Sequence, residues 1–171
     1  MTAMNRRPLD FRSFDDVRAD VARLAAGPYT KCGTWDLATT CDHLVKGMEI
    51  GLEGRPVSLP RFAKLLAPLA GPLVFKRILK KRAMPTGVAA PPEFVPAQTC
   101  ACEDAVARLD ATTRRAQAFT GPMNRHPFFG PITPEQWKEL MLIHCAHHLS
   151  FLVPTQGQQP DGSVPMGGQS A

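Results

Sequence analysis

One tyrosine, two tryptophans and an aromatic share of 7% leave this 171-residue chain poor in the flat side chains on which single-stranded nucleic acid stacks. The aromatics it has are not interleaved with its basic residues, so no nucleic-acid partner is expected. Long hydrophobic runs are also missing. The most apolar stretch, Leu65 to Phe75, contains Pro68, Gly71 and Pro72 and is too short to cross a bilayer. Stable membrane insertion is therefore not expected. Near the start, Arg6-Arg7 is followed by Pro8-Leu9-Asp10-Phe11-Arg12 rather than by the apolar core of a secretory signal. The five cysteines are an odd number, which argues against a closed disulfide framework. The expectation is a cytoplasmic protein with reduced thiols. No segment alternates polar and apolar residues over a strand length, and no internal repeat is visible, so the chain reads as all-α.

What is present is one domain's worth of helical pattern. The length suffices for one core. Seventeen prolines fall mostly between the periodic segments and in the tail, where they act as punctuation. Residues 1–12 read as an irregular arm. Ser13 opens a first helix with Asp15 and Asp16 in its first turn and Phe14, Val17, Val21 and Leu24 on one face; Gly27-Pro28 ends it. A second helix, N-capped by Thr34, carries Leu37, Cys41, Leu44, Val45 and Met48, and Gly51 and Gly54-Arg55-Pro56 close it. Residues 57–98 hold two helical pieces, around Phe62–Leu69 and Leu73–Arg82. Pro68 and Pro72 predict a kink or break between them, and 83–98 is a proline-rich loop or strap. A third long helix runs from about Ala101 to Phe119. The last has the clearest entry signal: Thr133 as N-cap, Pro134 at the first position and Gln136 completing a capping box. It extends to about Leu152, before Pro154. Residues 154–171 read as a flexible tail.

The net charge of +5 comes largely from Lys76, Arg77, Lys80, Lys81 and Arg82. Cations suit the end of a helix, so a solvated helix terminus is the plainest reading of this cluster. Trp35 and Trp137 read as core anchors. Cys41 and Cys145 read as packing residues, and Cys100-Ala101-Cys102 as two ordinary thiols.

The most informative run is His144-Cys145-Ala146-His147-His148, with three of the chain's five histidines. His144 and His148 are four apart and share a helix face with Trp137, Leu140, Met141 and Phe151. Imidazoles aimed into a core need partners, and a metal ion suits two at once. His147, three residues from His144, is an alternative to His148. A third ligand has to come from elsewhere: His43, His126 or a cysteine. On a helical wheel His43 falls opposite the apolar stripe of its helix, beside Trp35 and Ile50, which predicts exposure.

The stretch Gly33-Thr34-Trp35-Asp36-Leu37-Ala38-Thr39-Thr40-Cys41-Asp42-His43-Leu44 resembles the G-x-W…H-L element of the DinB-like superfamily. These are four-helix bundles with a three-histidine metal site. His126-Pro127-Phe128-Phe129-Gly130, Trp137 and His144-Cys145-Ala146-His147-His148-Leu149 resemble an uncharacterised bacterial branch of it. The resemblance covers residues 13–153. It implies an all-α, up-down-down-up bundle with a long, proline-rich, partly helical crossover between helices two and three. It also implies His43, His144 and His148 as metal ligands, which requires helix packing to turn His43 inward. His126, Phe128 and Phe129 are candidates for the mouth of a pocket.

Three neutral imidazoles leave a divalent ion with an open position, as in catalytic sites, and zinc or nickel suits them. Such a site could hold a low-molecular-weight thiol and act as a thiol (S-)transferase, or serve a related hydrolase, on an unidentified small-molecule substrate. The basic cluster could receive the thiol's carboxylates. The alternatives are a non-catalytic metal- or small-ligand-binding protein, such as a stress-associated sensor, and a peripheral membrane module using Leu65 to Arg82. A homodimer is open to any of these.

Overall fold

Capping and periodicity build five helices. The structure, a computed structural model, describes residues 6–87, 91–95 and 101–155. In order these form α1 (Phe14–Ala26), β1 (Tyr29–Lys31), α2 (Leu37–Glu53), α3 (Arg61–Lys81), a 3-10 turn (Pro92–Phe94), α4 (Cys102–Ala118), α5 (Pro134–Leu149) and β2 (Leu152–Pro154).

The entry signals act as the sequence predicts at two helices. Ser13 Oγ accepts from the Asp16 amide at 3.1 Å while the Asp16 carboxylate accepts from the Ser13 amide at 2.8 Å. Thr133 and Gln136 make the same reciprocal pair at the start of α5, with Pro134 where no intrahelical N–H bond is needed. At α2 the cap is Asp36, not Thr34: its carboxylate accepts from the Thr39 amide at 2.8 Å. The cap therefore lies two residues later than expected, because a carboxylate in the right place is an equally good acceptor. Gly54 closes α2 with φ +72°, a left-handed conformation that favours glycine. The helix α5 stops at Leu149, short of the expected Leu152, because Leu152–Pro154 are taken up in β2.

The expectation of an all-α chain is corrected by that strand pair. Tyr29, Thr30 and Lys31 run antiparallel to Pro154, Val153 and Leu152. Three-residue strands are too short to print an alternating pattern, which is why the sequence hides them. The pair fastens the approach to α2 onto the exit from α5. The N-terminal arm fastens the same end. Arg7 donates from its backbone to the Ser150 carbonyl at 3.0 Å and from its guanidinium to the Leu149 carbonyl at 2.9 Å, and it pairs with buried Asp20 of α1.

Helices α1, α2, α4 and α5 share the core. The helix α4 packs on α1 and α2, and α5 packs on α1, α2 and α3. Val17, Leu37, Leu44, Leu109, Trp137, Ile143 and Leu149 are among the fully enclosed side chains. The helix α5 is buried on most sides, through Trp137, Leu140, Met141, Leu142, Ile143, Cys145, Ala146 and Leu149.

The predicted break in 57–82 does not occur. The helix α3 is continuous over 21 residues with Pro68 and Pro72 inside it. Each proline removes one backbone donor, but they stand four apart and so lie on one face, confining the missing bonds to one side. The inner row of α3 is narrow: Ala67, Gly71, Phe75 and Ile78. Gly71 is obligatory there, because a Cβ would run into the Phe128 carbonyl oxygen. Arg82 ends the helix at φ +47° and is held by Asp10 at 2.6 Å, Glu139 at 2.7 Å and the Phe11 carbonyl at 2.7 Å. One member of the sequence's basic cluster is thus committed to structure. Among the described residues, no helix is long and apolar enough to cross a membrane.

Candidate metal centre

The seam between α2 and α5 is lined by residues that hydropathy does not score as core. His43, Gly47 and Gly51 stand at i, i+4 and i+8 on α2, one row on one face. Across from them on α5 are His144 and Trp137. A Cβ on Gly47 would lie 3.1 Å from His144 Cε1, and one on Gly51 would lie 3.0 Å from the Trp137 ring. The two glycines therefore set how closely the helices approach, and so how near His43 comes to α5.

His43 is buried, contrary to its place on the wheel. The apolar stripe of α2 is spent on its other neighbours, and the opposite face is covered by α5 and by the 3-10 turn at Pro92–Phe94. His43 Nδ1 donates to the Phe94 carbonyl at 2.9 Å. That bond places the proton on Nδ1 and leaves the lone pair on Nε2. His43 Nε2 then faces His144 Nε2 at 3.2 Å. His148 completes the group: its ring centroid is 4.5 Å from that of His43 and 4.6 Å from that of His144, with the rings edge to face. One ligand atom from each of His43, His144 and His148 can be chosen so that all lie within 4.8 Å of one another. These three histidines could hold a metal ion.

Their electrostatics suit that role. Burial pushes His43 and His144 below the ordinary imidazole range, and the neighbouring His148 and His43 push His144 further. Burial and His43 push His148 down to about 2. All three are neutral near pH 7, the form that binds metal. The nearest carboxylate on the helix, Asp42, is engaged elsewhere. Burial opposes its charge, but Lys46 at 2.8 Å and Arg108 hold its carboxyl below the usual range. Two nitrogens bound tetrahedrally at about 2.05 Å from zinc would stand about 3.3 Å apart. The 3.2 Å between His43 Nε2 and His144 Nε2 fits that spacing, while the full group of three spans up to 4.8 Å, so the rings would draw together around an ion.

Other expected residues fall around this group. His147 is half-buried, edge-on to His148 and Phe151, and is not in the three-histidine group. Burial and Arg6 push it down to about 4. His126 packs between Phe129 and Trp137, and its Nδ1 accepts from the Phe128 and Phe129 amides at 3.1 and 3.0 Å. It organises its own loop. Phe128 and Phe129 line a cavity of about 290 Å³ between that loop and α3, with Lys64, Pro68, Pro72 and Arg125; no histidine lines it. Cys41 and Cys145 are fully buried, and burial pushes Cys41 up to about 12 and Cys145 higher still, so neither supplies a thiolate. Cys102 is exposed at the start of α4, and Cys100 lies outside the described residues.

Two contributors escaped the sequence reading. Trp137 is a core anchor as expected, but Trp35 is half-buried and stands against the histidines. It stacks on His148 at 5.4 Å and 18° and leans on His43 at 4.7 Å. Its place beside His43 on the helical wheel, two residues before α2 begins, was the available signal. Phe94 contributes through its backbone carbonyl, for which side-chain patterns carry no signal.

A family model described as Protein of unknown function (DUF1569) matches residues 3–155, and the chain belongs to that family. No curated protein and no solved structure matches it.

Proposed function

We propose that His43, His144 and His148 bind a divalent metal ion, zinc or nickel, and that the centre serves a thiol (S-)transferase or a related hydrolytic reaction. The convergence of three neutral imidazoles on one small volume carries this reading. A divalent ion held there would supply Lewis acidity at a coordination position left open to a thiol sulfur or a water. The chain's own residues do the positioning. Phe94 fixes the His43 tautomer, Gly47 admits the His144 ring, and Trp35 backs the His148 ring. The two ligands on α5 ride on a helix buried along much of its length, which keeps their spacing rigid.

We also place the domain, residues 13–153, in the DinB-like superfamily, with α1, α2, α4 and α5 as its four-helix bundle in up-down-down-up order. The mutual packing of those four helices supports this, with α3 and the strap as the long crossover between the second and third.

His148→Ala tests the ligand set. The native chain is expected to carry about one ion per chain by mass spectrometry, and the variant to lose most of it. Full stoichiometry and affinity in the variant would remove His148 from the set and bring in His147. Turnover of an electrophile with a low-molecular-weight thiol then separates catalysis from storage: bound metal without turnover across thiols favours a non-catalytic metal-binding protein.

A further inference from the structure

The helix α3 is built inside out relative to its neighbours. Its narrow inner row packs on the body, while Phe62, Leu65, Leu66, Leu69 and Leu73 face outward with 69, 80, 51, 79 and 68% of their surface exposed. At i, i+3, i+4, i+7 and i+11 these five make one continuous face. Single exposed leucines are ordinary on protein surfaces, but a contiguous group of this size marks a contact surface. The same face continues into Lys76, Arg77 and Lys80, all exposed. Along its length α3 carries Arg61, Lys64, Lys76, Arg77, Lys80 and Lys81 and no acidic residue. None of these six cations has an ion-pair partner among the described residues.

We propose that this outward face of α3 docks on a bilayer surface containing anionic lipids. Charge decides the occupant. Pairing the face with a second copy would bring two sets of six cations together with no acid on either helix to offset them. An anionic bilayer supplies both what the leucines need and what the lysines need: an acyl boundary for the apolar half and lipid headgroups for the basic half. Docking requires no unfolding, because the Gly71 contact with the Phe128 carbonyl and the burial of Phe75 and Ile78 hold α3 by its opposite side. The helix would lie in the plane of the interface.

The test uses the purified full chain and vesicles of phosphatidylcholine, with and without phosphatidylserine. Co-sedimentation is expected only with the anionic vesicles, and high salt should release it. Each cation near such a surface is worth on the order of fivefold in partitioning, so Lys76→Gln, Arg77→Gln and Lys80→Gln together should weaken binding on the order of 100-fold. Leu65→Gln with Leu69→Gln should weaken it with the charge unchanged. Leu69→Trp gives a second readout that leaves the fold intact: its fluorescence should be quenched by brominated acyl chains in the anionic vesicles. No sedimentation, equal binding to both vesicle types, or an unquenched Leu69→Trp overturns the proposal. A dimer that Leu65→Gln and Leu69→Gln dissolve, without vesicle binding, assigns the face to a second copy instead.

Discussion

Adding one methyl group at position 47 asks whether the three histidines behave as a single centre. In Gly47→Ala the new Cβ would stand 3.1 Å from His144 Cε1 and 3.2 Å from His144 Nδ1. Carbon contacts relax at about 3.5–4.0 Å, so the ring has to give by roughly 0.4 Å or more. It has little room to do so, since the His43 and His148 ring centroids stand 5.1 and 4.6 Å away. Ligand placement within about 0.5 Å is what a metal site needs, and disturbing a supporting residue costs about 10–100-fold in metal affinity. The expected loss is at least about tenfold, equivalent to about 1.4 kcal/mol. Helix propensity acts in the opposite direction: alanine for glycine inside a helix contributes about 0.5–1 kcal/mol. The metal-free variant should therefore melt close to the native temperature while binding metal more weakly. Competition against a chromophoric chelator measures the affinity, and thermal melts with and without chelator separate it from stability. Gly51→Ala is the control on the same seam. Its Cβ would press on Trp137 at 3.0 Å rather than on a histidine, so it should lower the melting temperature and weaken metal binding less than Gly47→Ala does. Unchanged affinity in Gly47→Ala, or equal losses in the two variants, would refute the placement of His144 at the metal.

Three further outcomes follow from the packing and the buried imidazoles. Gly71→Ala should force α3 off the Phe128 carbonyl; overpacking of this kind costs about 1–3 kcal/mol, which exceeds the propensity gain, so the urea midpoint should fall. Thr133→Ala removes the acceptor for the Gln136 amide and should cost about 1 kcal/mol, read as a lower melting temperature. Burial holds His126 at about 4 against 6.5 in the unfolded chain, so above pH 6.5 both states are neutral there. As the pH falls from 6.5 toward 4, the unfolded chain takes up protons that the folded chain refuses, and stability is lost across that window. His147, also held at about 4, adds to the loss, and His148, held at about 2, extends it downward. His126 alone accounts for about 3 kcal/mol. A metal-free melting temperature that stays flat between neutral pH and about pH 4.5 would contradict this.

Local signals carried the fold where chemistry is local. Ser13 with Asp16 and Thr133 with Gln136 are self-contained caps, legible because every partner lies within four residues. The misreadings came from tertiary context. Pro68 and Pro72 look like breakers, yet a helix with four outward leucines and one narrow seated row tolerates the two missing bonds on one face. The strands at 29–31 and 152–154 exist because the link between α1 and α2 meets the segment after α5, a contact between residues more than a hundred apart in sequence. No pattern inside either triplet encodes it.

His43 shows most clearly why a residue of a candidate metal centre can be invisible to periodicity. The wheel of α2 has two buried faces, but only one is built of leucine, valine, cysteine and methionine. The other is His43, Gly47 and Gly51, and it is buried because α5 lies close to it, not because it is oily. Glycines at i+4 and i+8 from a histidine are the usable signal: they shorten the distance between helix axes and leave volume for rings from the facing helix. His144 and Trp137 fill that volume, and His148 stands four residues from His144, so spacing alone finds the histidine pair. What spacing cannot find is the carbonyl of Phe94, which arrives from a proline-rich strap and determines which nitrogen of His43 is free. The centre is thus half written in helical repeats and half in a loop whose only contribution is a backbone oxygen. Phe94→Ala keeps the carbonyl that receives Nδ1, so the variant should retain about one ion per chain by mass spectrometry. Loss of metal in that variant, with His43 unchanged, would locate the second half of the site in the strap's packing rather than in any side-chain ligand.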